Sequence, residues 1–173
     1  MTENAEKLNN QAIKLAHNGS VNEAILCFKR AITLNSENHL FWFNLGVTFR
    51  NAGNLREAEH ALEQSYHLNP YDTDVIETLA IIYFELGKLE TAIECCYNGL
   101  TFFPENPHLW NTIGAIHFNQ EKYTDAAEAF EIAITINPYY YDALFNLRDT
   151  YIELGNKNGA IEIERKMKNL EKR

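Results

Sequence analysis

The chain has 173 residues, of which 46% are hydrophobic and 12% are aromatic, and it carries a formal net charge of −9 at pH 7. This composition predicts a folded chain with a sizeable core, so disorder is not the default expectation. The acidic balance repels phosphate groups, so no nucleic-acid partner is expected. Residues 1–11 are polar, and no run reaches the roughly 18 apolar residues that a membrane helix needs. We therefore expect a cytoplasmic location and no membrane insertion.

A 34-residue period divides the chain into five repeats. Their bounds are residues 5–38, 39–72, 73–106, 107–140 and 141–173. A glycine column follows this step at Gly19, Gly53, Gly87 and Gly155, with Glu121 in the fourth place. An alanine column has no exception: Ala24, Ala58, Ala92, Ala126 and Ala160. A strict self-repeat without insertions predicts a stacked array, which we assign to a single domain over residues 1–173.

Each repeat is predicted to contain two amphipathic helices joined by a tight turn. In repeat 2, Trp42, Leu45 and Phe49 recur at helical spacing in the first half, and the second half shows the same periodicity. Glycine takes the left-handed conformation that closes a helix, so Glu121 is expected to mark a turn of different geometry. Trp42 and Trp110 are expected to be buried, with truncation costing about 3–5 kcal/mol.

Small residues also recur at the eighth position of the repeats, where Ala12, Gly46, Ala80 and Gly114 stand. Together with the alanine column they predict notches through which the two helices of a repeat approach closely. The three cysteines form an odd number, and reduced, packing side chains are expected. A redox or metal pair at Cys95 and Cys96 is the alternative, but no further cysteine or spaced histidine completes a zinc set.

These residues carry a resemblance to a known family. Repeat 2 has Trp42, Leu45-Gly46, Phe49, Ala58 and Pro70, and repeat 4 has Trp110, Ile113-Gly114, Ala126, Phe130, Ala133 and Pro138. This pattern resembles the tetratricopeptide repeat, over essentially the whole chain. The resemblance implies an all-α fold, a right-handed superhelical α-solenoid of helix-turn-helix repeats. It also implies a non-enzymatic protein–protein interaction module with a protein or peptide partner and no cofactor.

The fifth repeat departs from the pattern. It has Arg148 at the small eighth position, and it has Glu164, Met167 and Lys168 where an interior repeat presents apolar or small residues to its successor. A terminal repeat needs a polar outer face, and these residues are interpreted in that way.

The resemblance places the binding groove on the concave face, along the first helix of each repeat. The groove residues carried over onto this chain are Asn10, Phe43, Asn44, Val47, Arg50, Asp74, Glu77, Thr78, Ile81, Phe84, Asn111, Thr112, Phe118, Phe145, Asn146 and Asp149. The Lys and Asn clamp with which some members hold a C-terminal carboxylate is absent from the corresponding positions, so a co-chaperone role is disfavoured.

Two features of this groove suggest its ligand. Its sixth positions read Asn10, Asn44, Thr78, Thr112 and Asn146, which partly resembles an asparagine ladder that bonds a peptide backbone. The alternative is that these groups only bond their own helix surface. Seven groove carboxylates face one fixed cation, Arg50, with four phenylalanines among them. A basic, apolar-studded peptide is the expected ligand, and the alternative is a solvated acidic face with phenylalanines filling the stack.

The alternatives to peptide binding are a catalytic site, a metal site and a self-assembling scaffold. Asp149 and Glu153 stand four residues apart, as an acid/base pair could, but this spacing is common on solvated helices. His60 and His67 are a weak metal candidate, and no nucleophile elbow or phosphate loop occurs. We expect no catalytic, cofactor or metal site. The remaining alternative is a self-assembling scaffold, packing through solenoid edges and the turn tyrosines Tyr71, Tyr139, Tyr140 and Tyr141. A monomer or weak homo-oligomer is expected.

Overall fold

The computed structural model describes residues 4–170 and shows an all-α chain, with no strand in that range. Its helices are α1 (Ala5–His17), α2 (Val21–Leu34), α3 (His39–Asn51), α4 (Leu55–Leu68), α5 (Thr73–Glu85), α6 (Leu89–Phe102), α7 (Pro107–Asn119), α8 (Tyr123–Ile136), α9 (Tyr141–Glu153) and α10 (Lys157–Leu170). The first helix of every repeat has 13 residues and the second has 14. The predicted helix-turn-helix repeat is confirmed.

Four of the first helices are preceded by an asparagine or aspartate that caps their free amide groups. The side chains of Asn4, Asn38, Asp72 and Asn106 accept hydrogen bonds from backbone N–H groups of the first helical turn. This satisfies donors that have no partner inside the helix. Tyr140 holds the same position before α9 and makes no side-chain cap.

The turn at Glu121 has the same geometry as the glycine turns. Glu121 has a φ of +60°, beside +77° for Gly53. Its amide donates to Phe118 O at 2.9 Å, as the amide of Gly53 donates to Arg50 O at 2.9 Å. The expectation of a different turn is therefore wrong. The hydrogen bonds that close the helix hold Glu121 in the left-handed conformation despite its Cβ.

The helices form two compact units, an N-terminal unit up to Lys88 with α1 to α5, and a C-terminal unit from Leu89 with α6 to α10. The largest fully buried side chains of the N-terminal unit include Phe28, Phe41, Leu62 and Ile76. The core cluster of the C-terminal unit is built from Ala126, Ala127, Phe130, Leu144, Leu147, Ile163 and Met167. The assignment of residues 1–173 to a single domain stays a prediction.

The small-residue notches are present within both units. A Cβ placed on Gly46 would lie 2.7 Å from Leu62 Cγ, and one on Gly114 would lie 2.6 Å from Phe130 Cε1. Both distances are well below van der Waals contact, so α3 with α4 and α7 with α8 approach too closely for a larger residue. The close approach that the sequence predicted is confirmed at these two positions.

The two tryptophans are less buried than predicted. Trp42 and Trp110 are half-buried, and their indole N–H groups donate to Ser36 O at 2.9 Å and Pro104 O at 3.2 Å. Their neighbours Phe41 and Leu109 are each only 1% exposed. The helical period does not distinguish adjacent apolar residues, so the prediction of buried tryptophans was wrong by one residue along each helix.

The polar outer face expected for the last repeat is present only in part. Met167 belongs to the buried cluster, so its assignment to a polar outer face is corrected, whereas Glu164 and Lys168 are exposed and form an ion pair at 2.7 Å.

The three cysteines are free, and burial raises the pKa of Cys95 to about 12, so its thiol is protonated at neutral pH. Between residues 4 and 170, no helix is long and apolar enough to cross a membrane.

Candidate peptide-binding face

The first helices of successive repeats lie side by side within each unit. In the N-terminal unit α3 contacts both α1 and α5, and in the C-terminal unit α7 contacts α9. We call these surfaces the N-terminal face and the C-terminal face. Of the predicted groove residues, those on α1, α3 and α5 are Asn10, Phe43, Asn44, Val47, Arg50, Asp74, Glu77, Thr78, Ile81 and Phe84. Those on α7 and α9 are Asn111, Thr112, Phe118, Phe145, Asn146 and Asp149. Their assignment to a binding groove stays a prediction.

The N-terminal face contains a cavity of about 190 Å³. It is lined by Ile13, Ala16, His17, Phe28, Phe43, Asn44, Val47, Thr48 and Asn51. Three of the predicted groove residues, Phe43, Asn44 and Val47, thus line one concave site, since α1 and α3 are adjacent. The cavity is of a size to receive one apolar side chain, and the Asn44 amide stands at its wall.

An amide pair links the first two repeats beside this cavity. Asn44 Nδ2 donates to Asn9 Oδ1 at 3.1 Å, and Asn9 is buried whereas Asn44 is half-buried. The pair joins the fifth position of one repeat to the sixth of the next, not successive sixth positions as a simple ladder would. A primary amide has two N–H donors and one carbonyl acceptor, so this bond leaves Asn44 with further hydrogen-bonding capacity.

Arg50 of α3 pairs with Glu85 of α5. Its Nη2 lies 2.7 Å from Glu85 Oε1, and both side chains are about one-third exposed. The cation that the sequence places in the groove is therefore partly neutralised within the N-terminal face. The other charged residues among those predicted for the groove on α1, α3 and α5 are Asp74 and Glu77.

The other predicted residues of the N-terminal face lie along α1 and α5. Asn10 and Asp74 are exposed, and Glu77, Ile81 and Phe84 are half-buried. The Thr78 hydroxyl donates to the Asp74 carbonyl at 2.7 Å. This sixth-position threonine therefore already uses its donor on its own helix.

The C-terminal face repeats the amide pair. Asn146 Nδ2 donates to Asn111 Oδ1 at 3.0 Å, and both residues are half-buried. Thr112 is buried, and its hydroxyl donates to the His108 carbonyl at 3.0 Å. Two asparagine pairs therefore link successive repeats, one in each unit, while the threonines bond to their own helices.

Arg148, which the predicted groove residues do not include, contacts two of them in the C-terminal unit. Its guanidinium carbon lies 4.2 Å from the centre of the Phe145 ring, and its Nη2 lies 2.6 Å from Asp149 Oδ1. Phe145 is 43% exposed, so the stacked pair is at the surface. Arg148 stands at the eighth position, which the resemblance does not assign to the groove, so Arg50 as the one fixed groove cation stays a prediction. The sequence signal for Arg148 is that it replaces the small residue of the other repeats.

Phe118 has a packing role. It lies against the core cluster of the C-terminal unit, and its ring meets Tyr123 edge-on with ring centres 5.3 Å apart. This favours, for Phe118, the alternative that some groove phenylalanines fill the stack.

The described residues contain no group of three or more His, Cys, Asp or Glu side chains able to hold a metal ion. His60, one of the two histidines considered for a metal, instead meets the Trp42 ring edge-on, with ring centres 6.5 Å apart.

The chain is similar in sequence to known repeat-family profiles and to parts of longer proteins. Two family profiles described as "Tetratricopeptide repeat" match the chain, one at residues 49–116 and 117–165 and the other at residues 9–73. The chain is 26% identical to a peroxisomal targeting signal receptor of Candida albicans over 92% of its own length and 28% of that protein. It is 25% identical to the BBSome complex member BBS4 of Bos taurus over 83% of its length and 36% of that protein. The chain thus spans about a third of the length of these two relatives.

Solved structures show the same fold. A MamA structure from Desulfovibrio magneticus superposes with a TM-score of 0.84 at 16% identity, covering 99% of this chain and 97% of that one. The PilF structure from Pseudomonas aeruginosa superposes with a TM-score of 0.83 at 14% identity, covering 96% and 76%. The predicted all-α helical-repeat fold is confirmed. With family profiles matched over most of its length, the chain belongs to the tetratricopeptide repeat family of protein-interaction modules.

Proposed function

We propose that this chain is a non-enzymatic adaptor whose N-terminal face holds a basic, apolar-studded segment of a partner protein. The observation that carries the proposal is the cavity of about 190 Å³ between α1 and α3. It combines an apolar wall from Phe43 and Val47 with the Asn44 amide, within one acidic face. An apolar side chain of the ligand occupies the cavity while its backbone bonds to the amide.

The amide makes this site tolerant of ligand sequence. The bond to Asn9 fixes the Asn44 side chain without using its full hydrogen-bonding capacity. An amide that is held in place loses less conformational entropy when it binds a peptide backbone. Specificity then comes from the cavity and from charge.

Charge selects a basic ligand. Asp74 lies exposed in the first turn of α5, a helix that contacts α3. Complementary charge speeds encounter and rejects acidic competitors, and its effect is screened by salt. The C-terminal face, where Arg148 pairs with Asp149, contributes less net negative charge.

The test uses a fluorescein-labelled synthetic peptide of alternating Lys and Leu residues and measures its anisotropy with the full chain. We expect saturable binding that weakens as salt is raised. Asp74→Lys should weaken this binding several-fold, because an attraction becomes a repulsion at the rim of the face.

The matched control is Glu23→Lys. Glu23 is likewise an exposed acidic residue in the first turn of a helix of the N-terminal unit, but it belongs to α2 and not to the N-terminal face. Both substitutions change the net charge equally. Equal weakening by the two variants, or no saturable binding by the unaltered chain, would refute the proposal.

A self-assembling scaffold is the second candidate. Tyr71 and Tyr139 are 61% and 64% exposed, and exposed aromatic residues can anchor interfaces. Their backbone amides, however, donate to Asn69 Oδ1 and Asn137 Oδ1, so each Asn-Pro-Tyr segment is also a turn closed by its asparagine. Sedimentation velocity at several concentrations separates the two candidates, since a monomer at every concentration excludes the scaffold.

A further inference from the structure

A second and larger cavity lies in the N-terminal unit, on a different side of α3 from the N-terminal face. Its volume is about 570 Å³, and we call it the α2–α4 pocket. It is lined by Lys29, Ile32 and Thr33 of α2, by Trp42, Leu45 and Phe49 of α3, and by Arg56, Glu57, His60 and Ala61 of α4. On α3, the stripe through Trp42, Leu45 and Phe49 points away from the stripe of Phe43, Asn44 and Val47.

The floor of this pocket is apolar. Leu45, Ile32 and Ala61 are buried beneath it, and Trp42 is half-buried. The only polar atom of the Trp42 ring donates to Ser36 O at 2.9 Å. The ring therefore presents hydrocarbon surface without an unsatisfied donor, which suits an apolar side chain of a ligand.

The rim of the pocket is basic. Its fixed cations, Lys29 and Arg56, are exposed, as is His60, and the lining includes one carboxylate, Glu57. Lys29 Nζ lies 5.8 Å from the centre of the Phe49 ring, so one cation stands directly above the apolar floor. In a chain with a net charge of −9, this grouping is a local reversal of sign.

The equivalent positions of the other repeats show whether the fold requires these basic residues. The positions 34 residues after Lys29, Arg56 and His60 hold Glu63, Glu90 and Glu94. Further steps of the period give Tyr97, Glu131 and Arg165 for the first, Thr124 and Asn158 for the second, and Glu128 and Glu162 for the third. Only Arg165 of these is basic, so the packing of the repeat does not require a basic residue at these positions. The basic residues are therefore a feature of this pocket and are not required by the repeat fold.

We propose that the α2–α4 pocket binds an acidic peptide segment with one bulky apolar side chain. The apolar side chain rests on Trp42 and Phe49, and the flanking carboxylates pair with Lys29 and Arg56. Charge complementarity selects this occupant, because an acidic peptide is repelled by the chain as a whole and attracted only where the sign is reversed. This site is independent of the site proposed on the N-terminal face, which binds a basic ligand.

The test measures fluorescence anisotropy of three labelled 12-residue peptides with the full chain. The first alternates Glu with Ser and Gly around a central Phe, the second has Ala for that Phe, and the third has Lys for every Glu. We expect saturable binding of the first, weaker binding of the second, and, at this pocket, none of the third.

Lys29→Glu combined with Arg56→Glu should weaken binding of the first peptide roughly tenfold or more, because two attractions become repulsions. The matched control is Lys7→Glu combined with Lys14→Glu, two exposed cations of α1 in the same unit. The control makes the same change in net charge and should retain binding within about twofold, since exposed charges at a distance are screened by salt.

Trp42 gives a readout that locates the site. In a Trp110→Phe background it is the sole tryptophan, as the chain has two, and its emission should shift to shorter wavelength when the Phe peptide covers the indole. Absent binding, equal loss in both charge variants, or binding without a Trp42 shift would overturn the proposal. A Lys29→Glu, Arg56→Glu variant that lost self-association in sedimentation would also overturn it, by assigning the pocket to a second copy. Asp74→Lys tests the N-terminal face alone, so the two proposals fail separately.

Discussion

Glu121 holds a backbone conformation that is costly for any residue with a Cβ. The left-handed region costs an L-residue roughly 1–2 kcal/mol relative to right-handed helix. The closing hydrogen bonds from Glu121 N and Lys122 N, both 2.9 Å long, stabilise the turn against that cost. Four of the five turns avoid the strain by using glycine, so the fourth turn is a local weak point that one substitution can relieve.

We predict that Glu121→Gly raises the free energy of unfolding by about 0.5–1 kcal/mol. The relief of strain is partly offset by the greater entropy that glycine gives to the unfolded chain. Gly53→Ala should have the opposite effect, about 1 kcal/mol of destabilisation, without a steric clash, because a Cβ there meets no atom within 4 Å. Urea unfolding followed by circular dichroism measures both.

Glu121→Ala is the control for charge. Alanine removes the carboxylate but keeps the Cβ, so this variant should be about as stable as the unaltered chain. If Glu121→Ala were as stabilising as Glu121→Gly, the effect would come from charge and the backbone explanation would be wrong.

The pairing of helices depends on where one of them lacks a side chain. Gly114 lets α7 approach the Phe130 ring of α8, and Phe130 is itself buried in the core cluster. Repeat 1 has Ala12 and Phe28 at the matching positions, both buried. A Cβ is therefore tolerable at this position when the two helices adjust their spacing.

Gly114→Ala should destabilise the chain by about 1–3 kcal/mol, with the example of Ala12 favouring the lower end of that range. Phe130→Leu alone should also destabilise, because it leaves a void. The double variant should lose less than the sum, since the smaller side chain makes room for the methyl group. Thermal or urea unfolding of the four chains gives the coupling energy, and strict additivity would show that Gly114 and Phe130 do not clash.

Helix pairing also marks the limit of what the sequence could predict. The period located both helices, their turns and the glycine notches, because each depends on residues close together in one repeat. It did not separate Phe41 from Trp42, because both are apolar and adjacent. It also missed the pairing of Asn44 with Asn9, because that bond depends on how two repeats shift along each other. The contacts of Arg148 with Phe145 and Asp149 could not be predicted, because they are made through a flexible side chain.

At the scale of the whole molecule, stability is divided among repeats that contact their sequence neighbours. Stability in such arrays is approximately a sum of repeat and neighbour terms. The chain divides into two compact units between Lys88 and Leu89. Each unit therefore has its own group of repeat and neighbour terms. Whether the chain unfolds as the single domain predicted from its sequence is then a measurable question.

Leu147→Ala removes a fully buried side chain from the core cluster of the C-terminal unit. We expect a loss of about 2–5 kcal/mol. Native-state hydrogen exchange should show the loss mainly in amides of residues 89–170, because the cavity lies among α8, α9 and α10. Leu62→Ala, which empties a fully buried site in the N-terminal unit, is the reciprocal control. Equal acceleration of exchange throughout residues 4–170 by either variant would instead support one cooperative domain.

The caps of the first helices bear on how this chain can be recombined. Asn38, Asp72 and Asn106 are each the last residue of one 34-residue repeat, yet their side chains hold the first turn of the next. A crossover placed between residues 38 and 39 therefore separates a helix from its cap, whereas one placed between 37 and 38 moves the two together. The exchangeable module of this protein begins one residue earlier than the repeat bounds read from its sequence, and a hybrid array assembled in that register keeps each of these caps with its helix.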